Sequence, residues 1–326
     1  MPETTQDVIE AERQLGHPRT VLQYLRIFIT GFFMGSADIV PGVSGGTIAF
    51  IMGIYDTLID AIKSFNLDAL RLVLARKIGA FIDHVSLRFL ITLGIGILAA
   101  VFTLAHVLEG LLETQPTYVF AWFGGLVLAS IIAVAPKIGW SPLTVIVLIV
   151  GAVFAFWLTG LGGLGTGAEP EAAGAASYDL LTLFVSGAIA IVAMILPGIS
   201  GSFILVLLGQ YRTVLSFVTE RNFFPLIVFA LGCVIGIMLF SRVLSYLLHH
   251  YRSITLAALV GFMLGSLRKV WIEAAAGVDT MTAAGAAPSL LMVIVLIVFG
   301  FAIVTVLDHL SSGGNPIVRL FVRPRK

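Results

Sequence analysis

Ser36-Ala-Asp-Ile-Val-Pro-Gly-Val-Ser-Gly-Gly-Thr47 interrupts an apolar region running from Leu22 to Ile62, and Pro197-Gly-Ile-Ser-Gly-Ser202 interrupts a second from Leu180 to Val218. Proline stops an incoming helix, and glycine lets the chain turn tightly with its amides bare. The arms beside each break are short, so each region reads as a re-entrant hairpin of half-helices. Backbone that leaves the helix inside a bilayer costs several kcal/mol for each unpaired N–H or C=O. It is tolerated only where protein, water or a ligand satisfies those groups.

The surrounding chain makes the bilayer explicit. Of its 326 residues 59% are hydrophobic and only 11% charged, and the mean hydropathy is +1.06. A soluble protein of that length needs far more polar surface. Six stretches read as full spans: 88–108, 117–135, 143–160, 226–248, 254–270 and 289–307. They are continuous apolar runs, not the alternating strands of an outer-membrane barrel. The expected fold is therefore an all-α polytopic membrane protein. The single cysteine, Cys233, excludes a disulfide within the chain. A net charge of +1 with no basic patch gives no sign of nucleic-acid binding, and nothing in the sequence sets an oligomeric state.

The two interrupted regions are copies. A shift of 156 residues lays Pro41, Gly42, Ser44, Gly45, Gly53, Tyr55 and Thr57 on Pro197, Gly198, Ser200, Gly201, Gly209, Tyr211 and Thr213. A shift of 136 then lays Gly96, Leu108, Gly125 and Ser130 on Gly232, Leu244, Gly261 and Ser266. The difference of twenty residues falls in a polar, amphipathic stretch from Lys63 to Ser86 that the second half lacks. The chain thus divides into a cytosolic tail (1–20), a first repeat (21–160, hairpin 22–62), an outer linker (161–178), a second repeat (179–308, hairpin 180–218) and a basic cytosolic tail (309–326). The polar N-terminal segment lacks the apolar core of a signal peptide.

Loop charges orient the chain. Lys63, Arg71, Arg76, Lys77 and Arg88 precede the first span, and Arg319, Arg323, Arg325 and Lys326 close the tail. The 109–116 and 161–178 connections carry Glu109, Glu113, Glu169 and Glu171 with no Lys or Arg. Both termini are then cytoplasmic in a cell (inner) membrane, and Arg212, Arg221, Arg268 and Lys269 are exceptions on the outer side. Each half crosses three times, so the halves run in opposite senses, the inverted repeat of secondary transporters.

Where Ser44 to Thr47 and Ser200 to Ser202 begin new helices, free N–H groups and a partial positive charge favour an anion such as phosphate. Gly42, Ser44, Gly45, Gly46 and Thr47 from one loop, and Gly198, Ser200, Gly201 and Ser202 from the other, are the candidate phosphate ligands. Close packing of small residues is the competing explanation. Arg242, inside the fourth span, can pair with a phosphate bidentately or snorkel to the interface. His106, its counterpart, and Asp38, whose counterpart is Met194, are candidates for a coupling proton or Na⁺, though Asp38 can equally cap its turn. Arg268 and Lys269 are candidates for capturing an anionic headgroup at the outer side. Tyr55 and Tyr211 read as interfacial anchors. The sequence holds no HExxH, Walker loop, Cys/His cluster or G-x-S-x-G, so neither an enzyme nor a resident cofactor or metal is expected.

The run Gly31-Phe-Phe-Met-Gly-Ser-Ala-Asp-Ile-Val-Pro-Gly-Val-Ser-Gly-Gly-Thr-Ile-Ala-Phe-Ile-Met-Gly-Ile-Tyr-Asp56, with Leu196-Pro-Gly-Ile-Ser-Gly-Ser-Phe-Ile-Leu205, closely resembles the bacterial and archaeal polyprenyl-phosphate transporter family (PopT). That resemblance implies a flippase that returns undecaprenyl phosphate from the outer to the inner leaflet for reuse in cell-wall synthesis. The implied substrate suits the residues: its phosphate needs a shielded midplane site, while its prenyl tail stays in lipid. Two other readings share the paired loops, a transporter or channel for a small soluble anion, and a membrane lipid phosphatase or transferase using His106, His249 or His250.

Overall fold

The computed structural model describes residues 16–39, 44–161, 179–219 and 221–312. All regular structure among them is helical. In the first half, α1 (Val21–Ile39) leads to α2 (Gly45–Ile51) and α3 (Tyr55–Lys63), which meet at an angle of 116°. Two short helices follow, α4 (Leu67–Leu74) and α5 (Ile78–His84), then α6 (Leu87–Thr114), α7 (Pro116–Val134, continued by a 3-10 turn to Lys137) and α8 (Pro142–Leu161). The second half has α9 (Leu180–Ile195), α10 (Gly201–Leu207), α11 (Tyr211–Thr219), α12 (Phe223–His250), α13 (Arg252–Ala283) and α14 (Leu290–Ser312).

Local chemistry sets these boundaries. Ser44, Asn66 and Asp179 cap α2, α4 and α9 by accepting bonds from first-turn amides, the usual role of such side chains. Proline opens α7 and α8, where its missing N–H costs nothing. The helices α6, α7, α8, α12 and α13 are long and apolar enough to cross a membrane, and α14 carries a shorter apolar stretch, Leu290–Val306.

Two elements differ from expectation. The arm α1 has 19 residues, about 28 Å at 1.5 Å per residue, and is not a short half-helix. The fifth span does not stop near residue 270: α13 runs 32 residues to Ala283. Its extension is rich in alanine, a strong helix former, and holds no proline. It ends just before Gly285, whose φ of +79° suits a helix terminus. Residues 162–178 of the linker, 1–15 of the N-terminal tail and 313–326 of the C-terminal tail lie outside the described residues.

Within each half the hairpin's first arm lies on the first long span, α1 on α6 and α9 on α12. The remaining spans exchange between halves: α8 packs on α13, α14 on α7, and α7 on α13. Glycines mark the closest approaches. A Cβ on Gly31 would strike Leu93 O and one on Gly96 would strike Phe28 O; Gly187 and Gly232 stand in the same relation to Phe229 O and Phe184 O. Gly125 abuts Ile297 O and Gly261 abuts Leu148 O across the exchanged pairs. With lipid as apolar as leucine, such close backbone contact is what holds spans together. Met263, Leu256, Leu259 and Phe123 fill the centre, all at most 2% exposed.

Candidate functional site

The two interrupted stretches meet inside the bundle and clasp one another. Ser44, 1% exposed, takes extended backbone angles just before α2. Its Oγ accepts from Gly46 N at 3.2 Å and donates to Met194 O at 3.0 Å. Thr47 Oγ1 accepts from Gly198 N at 3.0 Å. Tyr55 donates from its hydroxyl to Ile195 O at 3.1 Å. Gly46 lies so close that a Cβ there would sit 2.5 Å from Ile195 O. The groups left bare where α9 stops are thus satisfied by side chains of the other half, as non-helical backbone in hydrocarbon demands. Tyr55 is correspondingly buried within the protein and not an interfacial anchor, whereas Tyr211 is exposed.

The two helix starts differ. At α2, Asp38 Oδ1 accepts from Gly45 N at 2.7 Å, so an internal carboxylate already holds the first amide and Ser44 the second. At α10 the position equivalent to Asp38 is Met194, and Ser200 makes no capping bond. Its Oγ instead lies 2.8 Å from Ser202 Oγ. Gly198 turns with φ +88°, and a Cβ there would approach Ser266 Oγ and the Met263 backbone to about 3 Å. Gly201 packs on Ala190 O. Gly42 lies outside the described residues.

The remaining candidates are dispersed. Arg242 is exposed on α12, and no hydrogen bond or ion pair joins it to either loop among the described residues. His106 belongs to α6, with its side chain outside the described residues. Arg268 donates to Phe156 O at 2.7 Å and lies 4.4 Å over the Phe156 ring. Lys269 pairs with Glu273 at 2.6 Å, and its ammonium lies 5.3 Å from the centroid of Phe203, one residue beyond Ser202. Of the charged candidates outside the loops, Lys269 is thus the one placed beside α10. No group of three or more potential ligands suited to a metal ion occurs among the described residues.

A second polar cluster was not singled out as a site from sequence. Arg252 Nη1 donates to Asp56 Oδ2 at 2.7 Å. Ser245 Oγ donates to Asp60 Oδ1 at 2.8 Å, and Lys63 Nζ donates to Ser245 Oγ at 3.0 Å. His249 Nε2 stands 3.6 Å from Asp60 Oδ2. These groups tie α3 of the first half to α12 and α13 of the second. Asp56, Asp60, His249 and Arg252 border a cavity of about 510 Å³ that His17, His84 and Ser86 also line. Its signal was a spacing: Asp56, Asp60 and Lys63 share one helical face, and Ser245, His249 and Arg252 repeat that interval.

Comparison with known proteins follows this geometry. Residues 34–288 match a family model described as VCA0040-like, undecaprenyl phosphate translocase-like. The chain is 45% identical over 251 residues to a polyprenyl-phosphate transporter of Vibrio cholerae serotype O1, covering 77% of this chain and 78% of the relative. It is 31% identical over 253 residues to a polyprenyl-phosphate transporter of Staphylococcus aureus, covering 74% and 84%. No solved structure matches.

Proposed function

The chain belongs to the VCA0040-like, undecaprenyl phosphate translocase-like family of membrane transporters, and we propose from that premise that it carries a polyprenyl phosphate, undecaprenyl phosphate foremost, from the outer to the inner leaflet. The observation that carries this reading is the meeting of both Pro-Gly-x-Ser-Gly loops at one place in the protein interior, through Thr47, Ser44 and Tyr55. An ordinary helix pair needs no such break, whereas transporters build their cargo sites from broken helices.

The phosphate is received between the loops, with Ser44 to Thr47 on one side and Gly198 to Ser202 on the other giving up their bonds to each other for bonds to it. The second loop is the more available, because no carboxylate occupies the start of α10. Lys269 supplies positive charge there by exchanging Glu273 for phosphate. Arg268, held by a carbonyl and a ring, steadies α13 against α8. Arg242 stays outside the resting site. The prenyl tail remains in lipid throughout, so only the head crosses the protein.

The repeated glycine contacts, with the exchange of outer spans between halves, support an inverted repeat that rocks between two openings. Moving an anion toward a negative cytoplasm opposes the membrane potential by about 2.3 kcal/mol per charge per 100 mV. Coupling to H⁺ or Na⁺ offsets that cost, with Asp38 as the binding group and His106 as the second candidate. The test is transport in proteoliposomes of a fluorescent polyprenyl phosphate placed in one leaflet, with inorganic phosphate as a parallel cargo. Movement of the lipid and not of inorganic phosphate is expected. The converse assigns the protein to small anions, and indifference to both pH and Na⁺ gradients removes the coupling.

A further inference from the structure

The polar stretch that only the first half carries folds into a small unit of its own. Phe65 and Phe81 meet edge to face at 6.5 Å. Asn66 caps α4, and its Oδ1 lies 3.3 Å from His84 Nε2 at the end of α5. Ala69 is buried and Leu72 half-buried, which marks the side of α4 turned to the protein. At about 100° per residue, Leu67, Leu70, Val73 and Leu74 fall together on another side. They are 71%, 53%, 40% and 74% exposed, and Ile78, which opens α5, is 54% exposed. The pair closes on its aromatic rings and leaves its leucines outside.

The remaining side is charged. Arg71 pairs with Asp68 at 2.9 Å, and both are exposed. Arg76 and Lys77 stand exposed in the turn between α4 and α5, and among the described residues no ion pair joins either to a carboxylate. Arg76 takes a φ of +54°, a left-handed angle that glycine adopts more readily. Residues 63–88 hold five Lys and Arg against Asp68 and Asp83, a surplus of three positive charges.

The acidic 109–116 connection at the far end of α6 and the basic C-terminal tail put this unit at the cytoplasmic end of the bundle. The span that follows it, α6, carries exposed Ile91, Ile95 and Leu98, so the apolar surface begun on α4 and α5 continues in a helix that faces lipid. An apolar edge beside a basic rim matches the acyl and headgroup layers of a leaflet that contains anionic lipid. We propose that α4 and α5 lie in the cytoplasmic membrane interface and bind anionic phospholipid. Leu67, Leu70, Leu74 and Ile78 enter the acyl boundary, and Arg71, Arg76 and Lys77 engage lipid phosphates. His84 and Ser86, at the end of the unit, line the cavity beside Asp60 and His249, so the bound lipid holds one wall of that cavity at headgroup depth. The second half lacks the unit, which confines this binding to one leaflet.

The test is a Cys233→Ser protein with Leu74→Cys carrying a polarity-sensitive fluorophore, in nanodiscs of phosphatidylcholine and phosphatidylglycerol. Lipid brominated high on its acyl chains is expected to quench the label and aqueous iodide to spare it, whereas iodide should reach the same label at Asp68→Cys. Brominated phosphatidylglycerol should be preferred to brominated phosphatidylcholine by at least about fivefold, the worth of one engaged basic residue. That preference should vanish when Arg71→Gln, Arg76→Gln and Lys77→Gln are combined, and persist with Arg71→Lys and Arg76→Lys. Iodide reaching Leu74 as freely as Asp68 overturns the membrane contact. A Leu74 label shielded from both quenchers overturns it too, and assigns the face to a second copy of the chain or another protein. Equal quenching by the two lipids overturns the anionic binding. None of these readouts involves transport, so they stand or fall apart from the cargo.

Discussion

Gly46→Ala tests whether the contact between the loops holds the two halves together. The added Cβ would lie 2.5 Å from Ile195 O and 3.1 Å from Met194 O, both backbone atoms that cannot rotate away. Restoring ordinary contact near 3.4 Å means opening the junction by about 0.9 Å. That displacement carries the bonds Thr47–Gly198, Ser44–Met194 and Tyr55–Ile195, now 3.0, 3.0 and 3.1 Å, toward the edge of hydrogen-bond range. Each lost bond costs about 0.5–1.5 kcal/mol, while tolerating the overlap costs about 1–3 kcal/mol. Alanine's advantage over glycine in a helix returns at most about 1 kcal/mol. The net expectation is a loss of about 0.5–3.5 kcal/mol if the three bonds go and of up to about 2 kcal/mol if the overlap is tolerated. Gly94→Ala is the control, since a Cβ there meets nothing within 4 Å, and it should be neutral or stabilising. Thermal unfolding followed by thiol labelling suits the measurement, because Cys233 is the single cysteine and is half-buried against Gly187 O. A Gly46→Ala protein as stable as Gly94→Ala would refute the tight junction.

Three further outcomes follow from the same geometry. Thr47→Val keeps the side-chain shape but removes the acceptor of Gly198 N, so amide exchange in the 196–204 segment should rise, whereas Thr47→Ser should leave it protected; equal exchange in both variants would contradict the bond. Asp38→Asn retains an oxygen for Gly45 N and should preserve folding while abolishing any dependence of transport on a proton or Na⁺ gradient, whereas Asp38→Leu should lose folding yield as well; a coupled Asn variant would reduce Asp38 to a cap. At the start of α9 the Thr182 hydroxyl, then the Thr182 and Leu181 amides, hold the Asp179 carboxyl below its usual value. Its cap is therefore fully present above about pH 4 and is lost as pH falls through that lowered value. Exchange of residues 180–183, corrected for intrinsic rates, should rise in acid for wild type and stay independent of this titration in Asp179→Asn.

Much of the architecture was legible because hydrocarbon imposes a simple rule: long apolar runs become helices, and breaks within them need a reason. The reach of α13 to Ala283 was hidden because Glu273 and Asp279 lower hydropathy, while Ala274, Ala275 and Ala276 between them keep the helix going. α1 is longer than its sequence suggests because Ser36, Ala37 and Asp38, which open the polar break, still continue the helix to Ile39. The loops were visible as special from their glycine, proline and serine spacing. Their partners were not, since Thr47 finds an amide and Ser44 a carbonyl about 150 residues away, and backbone groups leave no mark on sequence pattern. Asp38 accepts from Gly45 N, which is the capping role its place in the loop offered. The matched spacing of Asp56, Asp60 and Lys63 with Ser245, His249 and Arg252 was present all along, but only the fold sets one ladder against the other.

The clasp between the loops also constrains how the protein is made. The bonds that satisfy the end of α9 come from Ser44, Thr47 and Tyr55, residues synthesised 140 to 151 positions earlier. At about 5–20 residues per second the first loop therefore waits roughly 7–30 s for its partner. During that interval its polar groups need water, the insertion machinery or the bilayer interface as a temporary host. The nascent N-terminal half is then an unfinished client held near the membrane surface, and it is completed only when Met194, Ile195 and Gly198 arrive. Separately expressed halves would each carry an open wound where the other belongs, and their joint expression should rescue both.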